Sequence, residues 1–255
     1  MSFSSDWLAL RAPADAAARD WTLARHFAAA LSAAPRITDL GAGTGATVRA
    51  LKPLLPQAKW TLIDGDAGLL ALAPAGCTGH QLDLASDLDA ALAGADAITC
   101  SALLDLCSAD WLDWFAAALA ARRLPVYAAL SFDGRHGWAP AHPDDAVVDR
   151  AFLAHQQRDK GFGPSLGAGA WRHFADALKR HGFRVATSAS DWVLGPDQPR
   201  LLEAMVSGIA DAAAEQAPDQ TDAVEAWADA RRVAIAGQAL HLVVGHQDIV
   251  ALPPA

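Results

Sequence analysis

Basic residues are scarce in this 255-residue chain: 20 Lys and Arg stand against 29 Asp and Glu, a formal net charge of −9. Only Lys52, Lys59, Lys160 and Lys179 are lysines. Binding a phosphate backbone needs a concentrated basic surface, so the composition argues against a nucleic-acid partner. Cysteine is also rare. Cys77, Cys100 and Cys107 form an odd set without CxxC spacing and read as small apolar fillers in a reducing cytosol. No HExxH pattern or Cys/His cluster points to zinc, and no metal is expected. A GxSxG elbow is missing too, which removes the commonest serine-hydrolase signature. No uncharged apolar run reaches the roughly 18 to 20 residues that cross a bilayer. Met1 to Asp6 lack a basic start followed by an apolar run, so no signal peptide is expected. These absences predict a soluble, cytoplasmic protein with no membrane partner, present as a monomer or homodimer.

What is abundant is apolar surface, with hydrophobic residues making up 53% of the chain. That suffices for a large core, and residues 1–255 are expected to form a single α/β domain. Alanine raises helix propensity almost everywhere, so strands must be sought where larger and β-branched residues replace it. Five such runs stand out: Arg36 to Leu40, Trp60 to Asp64, Gln81 to Leu84, Ala97 to Cys100 and Val126 to Phe132. Helix-compatible stretches lie between them, at Thr47 to Leu55, Ala67 to Ala73, Ser86 to Ala93 and Ser108 to Ala121. Short strands alternating with helices imply crossover connections and a parallel sheet. Ser108 is a good N-cap, and Trp111, Phe115 and Leu119 then share one helix face. Residues 1–33 read as a helical N-terminal cover. Residues 133–169, rich in Gly, Pro, His and Asp, read as a substrate-loop insertion with a short helix from Asp144 to Arg158. A helix from Ala170 to His181 and a strand near Phe183 to Ser188 follow. Residues 200–236 read as a two-helix excursion before a last strand, Leu240 to Leu252, paired at one edge of the sheet.

Gly41, Gly43 and Gly45 follow the first strand and open a helix, which permits a tight turn and close approach of a ligand. Gly41 to Ala46 also satisfies GxGxxG/A, so a nicotinamide-dependent oxidoreductase is an open alternative. Asp39, two residues before Gly41, would repel a pyrophosphate and suits a cationic neighbour. Its bland role is to cap the loop through backbone N–H groups. Asp64 ends the second strand, where a carboxylate accepts from ribose hydroxyls, and Asp83 is placed to meet an adenine amine. Asp64 serves either cofactor class.

The runs Asp39-Leu40-Gly41-Ala42-Gly43-Thr44-Gly45, Leu62-Ile63-Asp64 and Leu82-Asp83-Leu84 resemble the class I S-adenosylmethionine-dependent methyltransferase superfamily. The resemblance is firm over about residues 36–105 and includes uncharacterised bacterial small-molecule members. It implies a Rossmann-like, seven-stranded, mostly parallel sheet with an antiparallel last strand and helices on both faces. It also implies S-adenosylmethionine as cofactor. Gly41 and Gly43, with Ala42, Thr44 and Asp39 beside them, would meet the methionine part. Asp64 and Gly65 would hold the ribose, and Asp83 and Leu84 the adenine. Ser101 would stand near the transferable methyl, with Asp105 just after it. The strand-four motif Ser-Ala-Leu-Leu differs from the Asn/Asp-Pro-Pro-Tyr/Phe type of enzymes that methylate amino groups of DNA bases or glutamine.

The expected acceptor is a small molecule, preferably with an acidic group, and the reaction is an in-line displacement that the protein mainly aligns. Asp105, His136 and His142 are the candidate catalytic residues, with Asp133, Arg135 and Trp138 as a substrate wall. His155, Arg158 and Lys160 form a candidate anion clamp, although a solvated helix end explains them equally simply. Arg11, Asp15 and Arg19 fall at i, i+4, i+8, as a solvent-exposed charge ladder would. In the alternative, Arg19 reaches the cofactor carboxylate as a lid closes. A catalytically silent cofactor-binding protein is a third reading, with the helices of 200–236 as its partner interface.

Overall fold

The structure is a computed structural model and describes residues 4–254. The sequence expectation for Met1 to Phe3 lies outside the described residues. Two helices begin the chain. Helix α1 (Ser5–Ala18) starts on Ser4, whose side chain accepts from the Trp7 amide at 3.1 Å. Helix α2 (Trp21–Ala29) starts on Asp20, which accepts from the Thr22 and Leu23 amides. Both caps satisfy amides that a first turn otherwise leaves unpaired.

The α/β unit follows: β1 (Arg36–Leu40), α3 (Ala46–Leu51), β2 (Lys59–Asp64), α4 (Ala67–Leu70), β3 (Thr78–Gln81), α5 (Leu88–Ala91), β4 (Ala97–Ser101), α6 (Ala109–Arg122) and β5 (Val126–Ala139). Its second half holds α7 (Asp145–Gln156), α8 (Ala170–Arg180), β6 (Arg184–Ala189), β7 (Trp192–Leu194), α9 (Pro199–Gln216), α10 (Thr221–Ala236) and β8 (His241–Leu252). The sheet runs β3-β2-β1-β4-β5-β8-β6, with the short β7 also paired to β8. Strands β1 to β5 are parallel to their neighbours, and β8 is antiparallel to β5, β6 and β7.

Alternation along the strands sends side chains to two separate cores. Leu40, Ile63, Ile98, Ala128 and Ile249 pack with α6 and α8, through Phe115, Leu119, Phe174 and Leu178. Ile37, Leu62, Ala97, Tyr127 and Val250 pack on the other face with Phe27 of α2 and Val48 and Leu51 of α3. A third cluster joins Trp192, Leu242 and Val244 to α9 and α10 through Leu202, Val206 and Trp227. Central β1, β4 and β5 are buried on both faces, which is why they read as nearly continuous apolar runs.

The sheet differs from the expectation in three places. Among the described residues the main path has the seven expected strands, and Trp192–Leu194, too short to show a periodicity, adds an eighth beside β8. Strand β3 ends at Gln81, so Asp83 lies beyond it and accepts from the Ala85 amide in a turn. Every residue of β3 is exposed, so no apolar run marked it. Strand β5 does not end at Phe132 but continues to Ala139 against β8. The expected loop of residues 133–169 is therefore a strand extension, helix α7 and a shorter connection. As expected, β8 forms an antiparallel pair at one side of the sheet, with β6 as the edge strand.

Two irregularities let β5 run so long. The first register shift falls between Ala128 and Ser131, at Leu130, whose φ of +55° is left-handed. Its amide leaves the ladder and donates to Asp248 at 2.8 Å. Asp248 is fully buried and also accepts from the Tyr127 hydroxyl at 2.7 Å and the Asp20 amide at 3.0 Å. One carboxylate thus ties β8, the β5 bulge and the start of α2. Asp248→Ala would leave those donors unpaired, and a stability loss of about 3 kcal/mol or more is expected. Urea denaturation measures it, and a loss below about 1 kcal/mol would remove Asp248 from this role.

Candidate active site

Beyond the carboxyl ends of β1, β2 and β4 lies a cavity of about 900 Å³. Open α/β sheets bind ligands at this edge because the strand order reverses there and leaves a crevice. Its walls come from the loop 41–44 and the start of α3, from Asp64 to Leu69, from Gln81 to Leu84, and from Ser101 to Leu103. Leu8, Arg11 and Asp15 of α1 enter from one side, and Lys160, Gly161 and Phe162 add a further wall.

The loop shape requires glycine at two positions. Gly43 has φ +52°, and a Cβ there would stand 3.0 Å from Leu8 of the covering helix. Gly45 has φ +81°, and its Cβ would lie 2.6 Å from Pro74, inside contact distance. The Gly43 amide donates to Asp64 Oδ2 at 2.7 Å, and Asp64 Oδ1 accepts from the Asp66 amide at 2.9 Å. Each carboxylate oxygen retains a further acceptor direction. Gly41, Ala42, Thr44, Gly65, Asp83, Leu84 and Ser101 line the same cavity.

Asp39 sits beneath this surface rather than on it. It is fully buried, points to the α2 and α3 side of the sheet, and accepts from Thr99 Oγ1 at 2.7 Å. Its Oδ2 has no partner among the described residues. Burial raises its pKa to about 7, against the opposing pull of the Thr99 hydroxyl and the Arg19 charge.

Arg19 follows α1 and is only 4% exposed. Its Nη2 donates to Ser101 Oγ at 3.1 Å, and the guanidinium lies 5.5 Å from the Tyr127 ring centre. Nε and Nη1 are buried without a partner among the described residues. Burial opposes its charge, but Tyr127, Asp248 and Asp15 outweigh that and keep the guanidinium cationic. Arg19 does not itself line the cavity and touches its wall through Ser101, which does.

The expected residues after β5 are placed elsewhere. His136 lies in the β5 extension, hydrogen-bonded to Asp149 of α7 at 2.9 Å and packed among Phe132, Trp138 and Phe152. His142 accepts from the Asp144 amide before α7. Neither histidine lines the cavity, because the strand continues where a loop was expected. Asp133 and Arg135 pair with each other, and Arg135 also with Asp191. Trp138 packs edge-on against Trp227. His155 and Arg158 both engage Glu215 of α9, so the anion clamp closes on the protein itself. Of that group, Lys160 alone lines the cavity.

Asp105, in the turn after β4, is not among the lining residues, although Leu103 and Leu106 on either side are. Its enclosed carboxyl has a free Oδ1 and a pKa raised by burial to about 6. Arg11 and Asp15 do form the expected i, i+4 pair, at 2.9 Å, but against the cavity rather than in solvent. Charge spacing carried the pair; nothing in it showed which way the helix face would turn.

No family model matches the sequence, and no curated protein is similar to it. Solved structures do match. The YcgJ protein from Bacillus subtilis is 15% identical, with 92% of this chain and 98% of that one covered at a TM-score of 0.52. A cyclopropane-fatty-acyl-phospholipid synthase-like protein from Lactobacillus casei is 16% identical, with 95% and 99% covered at 0.52. The chain has the class I methyltransferase fold. It also matches a phosphoethanolamine N-methyltransferase from Haemonchus contortus, solved with phosphomonomethylethanolamine and S-adenosylhomocysteine, at 13% identity and a TM-score of 0.46. This chain spans about half of that one, 53%. No described helix is long and apolar enough to cross a membrane.

The Asp39 environment generates a pH test. In the native state its proton is held up to about pH 7, whereas an unfolded Asp releases it near 3.8. Between these values the native state binds the extra proton, so this group makes stability fall as pH rises. Asp39→Asn is expected to flatten that slope, by at most about 1.4 kcal/mol per pH unit. Urea midpoints of both proteins between pH 4.5 and pH 7.5 report it; parallel curves would place the native pKa near normal.

Proposed function

We propose that this protein is an S-adenosylmethionine-dependent methyltransferase acting on a small-molecule acceptor. The observation that carries the reading is the charge of the cavity at the glycine loop. Five carboxylates, of Asp15, Asp64, Asp66, Asp83 and Asp87, line it against the two cations Arg11 and Lys160. Such a wall favours a cofactor with net positive charge and disfavours the pyrophosphate of a dinucleotide. The partnerless donors of Arg19 supply the complementary group for a carboxylate. Both features fit the methionine part of S-adenosylmethionine, which carries an ammonium, a sulfonium and a carboxylate.

In this reading Gly41 to Thr44 hold the methionine part through their backbone, and Arg19, steadied by Ser101, takes its carboxylate. Asp64, with Gly65 beside it, accepts from the ribose hydroxyls while keeping the Gly43 amide. Asp83 and Leu84 face the adenine. Asp39 acts from below, as a buried acidic group whose ionised form a nearby cation favours. When bound, the cofactor supplies a methyl group on a sulfonium that already carries its leaving group. The chain excludes water, orients the acceptor and, for an O–H acceptor, holds the released proton. Asp105 does not line the cavity, so the carboxylates that do are the groups placed for that last task. The cations on the cavity wall favour an acceptor with an acidic group.

Calorimetry with S-adenosylhomocysteine, NAD(H) and NADP(H) tests the donor. Binding of S-adenosylhomocysteine alone is expected, and tight binding of a dinucleotide alone would overturn the reading. Asp64→Ala should weaken S-adenosylhomocysteine about tenfold or more through lost ribose hydrogen bonds. Unchanged affinity would take the ribose from Asp64.

A further inference from the structure

Lys160 is a largely buried side chain whose ammonium has no ion-pair partner among the described residues. It is 9% exposed and lines the cavity, and no hydrogen bond or ion pair to it occurs among the described residues. The charged groups around it are already engaged with one another: Arg158 and His155 both bind Glu215. Burial lowers the Lys160 pKa and Arg158 lowers it further, with Glu215 offsetting only in part. The Lys160 ammonium, open to the cavity and without an ion-pair partner among the described residues, is placed to meet a ligand carboxylate.

The segment carrying Lys160 is a closed turn. Asp159 Oδ1 accepts from the Gly161 amide at 2.7 Å and the Gly163 amide at 3.1 Å, and Asp159 bridges to Pro164. Ser165 Oγ lies 2.8 Å from the carbonyl oxygens of both Leu106 and Arg158 and shares its one proton between them, which holds the turn near the segment after β4. Phe162 stands edge-on to Trp111 at 5.0 Å. Lys160 is therefore presented from a pinned backbone. Arg11 lines the same cavity and is equally fixed, with Nε and Nη2 on Asp15 and the Trp192 ring 4.9 Å away. Its Nη1 has no hydrogen bond among the described residues.

We infer that Lys160 recognises a single carboxylate on the acceptor, whose apolar body packs on Leu103, Leu106 and Phe162, while Arg11 presents a second positive edge. The acceptor class is thus an organic monocarboxylate with an apolar or aromatic body. This rests on the methyl-transfer reading for the role of the ligand, though not for its binding. A monoanion is favoured over a phosphate because phosphate sites gather several donors or a free guanidinium fork. Here the Arg11 fork is occupied by Asp15, and the five aspartates of the wall repel a second negative charge.

The four lysines make the test direct. Protein labelled with ¹³C at lysine Cε gives four signals, and Lys160→Gln identifies the one that disappears. Benzoate, benzamide and phenyl phosphate are titrated into protein saturated with S-adenosylhomocysteine. Benzoate should shift the Lys160 signal saturably and raise its titration midpoint, and benzamide should do neither. By calorimetry, Lys160→Gln should lose about tenfold or more of the benzoate affinity and keep that for S-adenosylhomocysteine. No saturable benzoate shift, equal benzoate affinity in the variant, or tighter binding of phenyl phosphate would each overturn the inference. Failure of wild-type protein to bind S-adenosylhomocysteine strikes the donor reading instead, and the benzoate titration is then judged on protein alone.

Discussion

The buried carboxylate of Asp248 is the interaction on which the site side of the molecule depends. A β-bulge at Leu130 frees an amide inside the protein, and a buried, unpaired amide is costly. Asp248 accepts it, and the same group receives the Tyr127 hydroxyl and the Asp20 amide that begins α2. Its charge also offsets that of Arg19, which stands over the Tyr127 ring with Nη2 on Ser101. Strand β8 from the end of the chain, the bulge of β5 and the junction of α1 and α2 are thereby fixed together. Without that anchor, neither the bend in β5 nor a buried arginine beside the cavity is affordable.

From this anchor the acidic character of the site becomes intelligible. A carboxylate beside each strand end is compatible with a tight glycine loop because backbone amides can turn toward the carboxylates, as Gly43 does toward Asp64. Asp39 is a different case, since it carries a raised pKa and contacts no cavity surface. It contributes through the field beneath the loop. The cations entering from α1 and the 159–164 turn are few, and each is held in place by packing or by a closed turn. The proposed recognition of an anion in so acidic a chain rests on such local exceptions.

Much of the fold was legible in the residues. Ile37 to Leu40, Ala97 to Cys100 and Val126 onward are buried on both faces of a parallel sheet, so their apolar runs are unbroken. The cap Ser108 was legible for a local reason, because a short acceptor before a helix satisfies its own first amides. The glycine loop and Asp64 were readable from their phase with the strands, and Ser101 from the family resemblance; all line the cavity, as does Asp83, which lies beyond the end of β3. Strand β3 was misplaced because it is exposed throughout, and β7 escaped notice because three residues carry no period. The extension of β5 is rich in Gly, His and Arg, and looks like a loop until β8 lies against it.

The sequence by itself determined the strand–loop–helix order and the acidic residues at the strand ends, because these follow from local propensity, burial period and short turns. Only the tertiary structure decided which polar side chains face the cavity. His136, His155 and Arg158 are consumed by Asp149 and Glu215, residues on helices that meet them only after packing. Arg11 and Lys160 line the cavity because α1 and a distant turn are folded over it, and Arg19 meets its wall at Ser101. Spacing along a chain sets what a residue can do locally; its partner 60 or 228 residues away is chosen by how the elements pack.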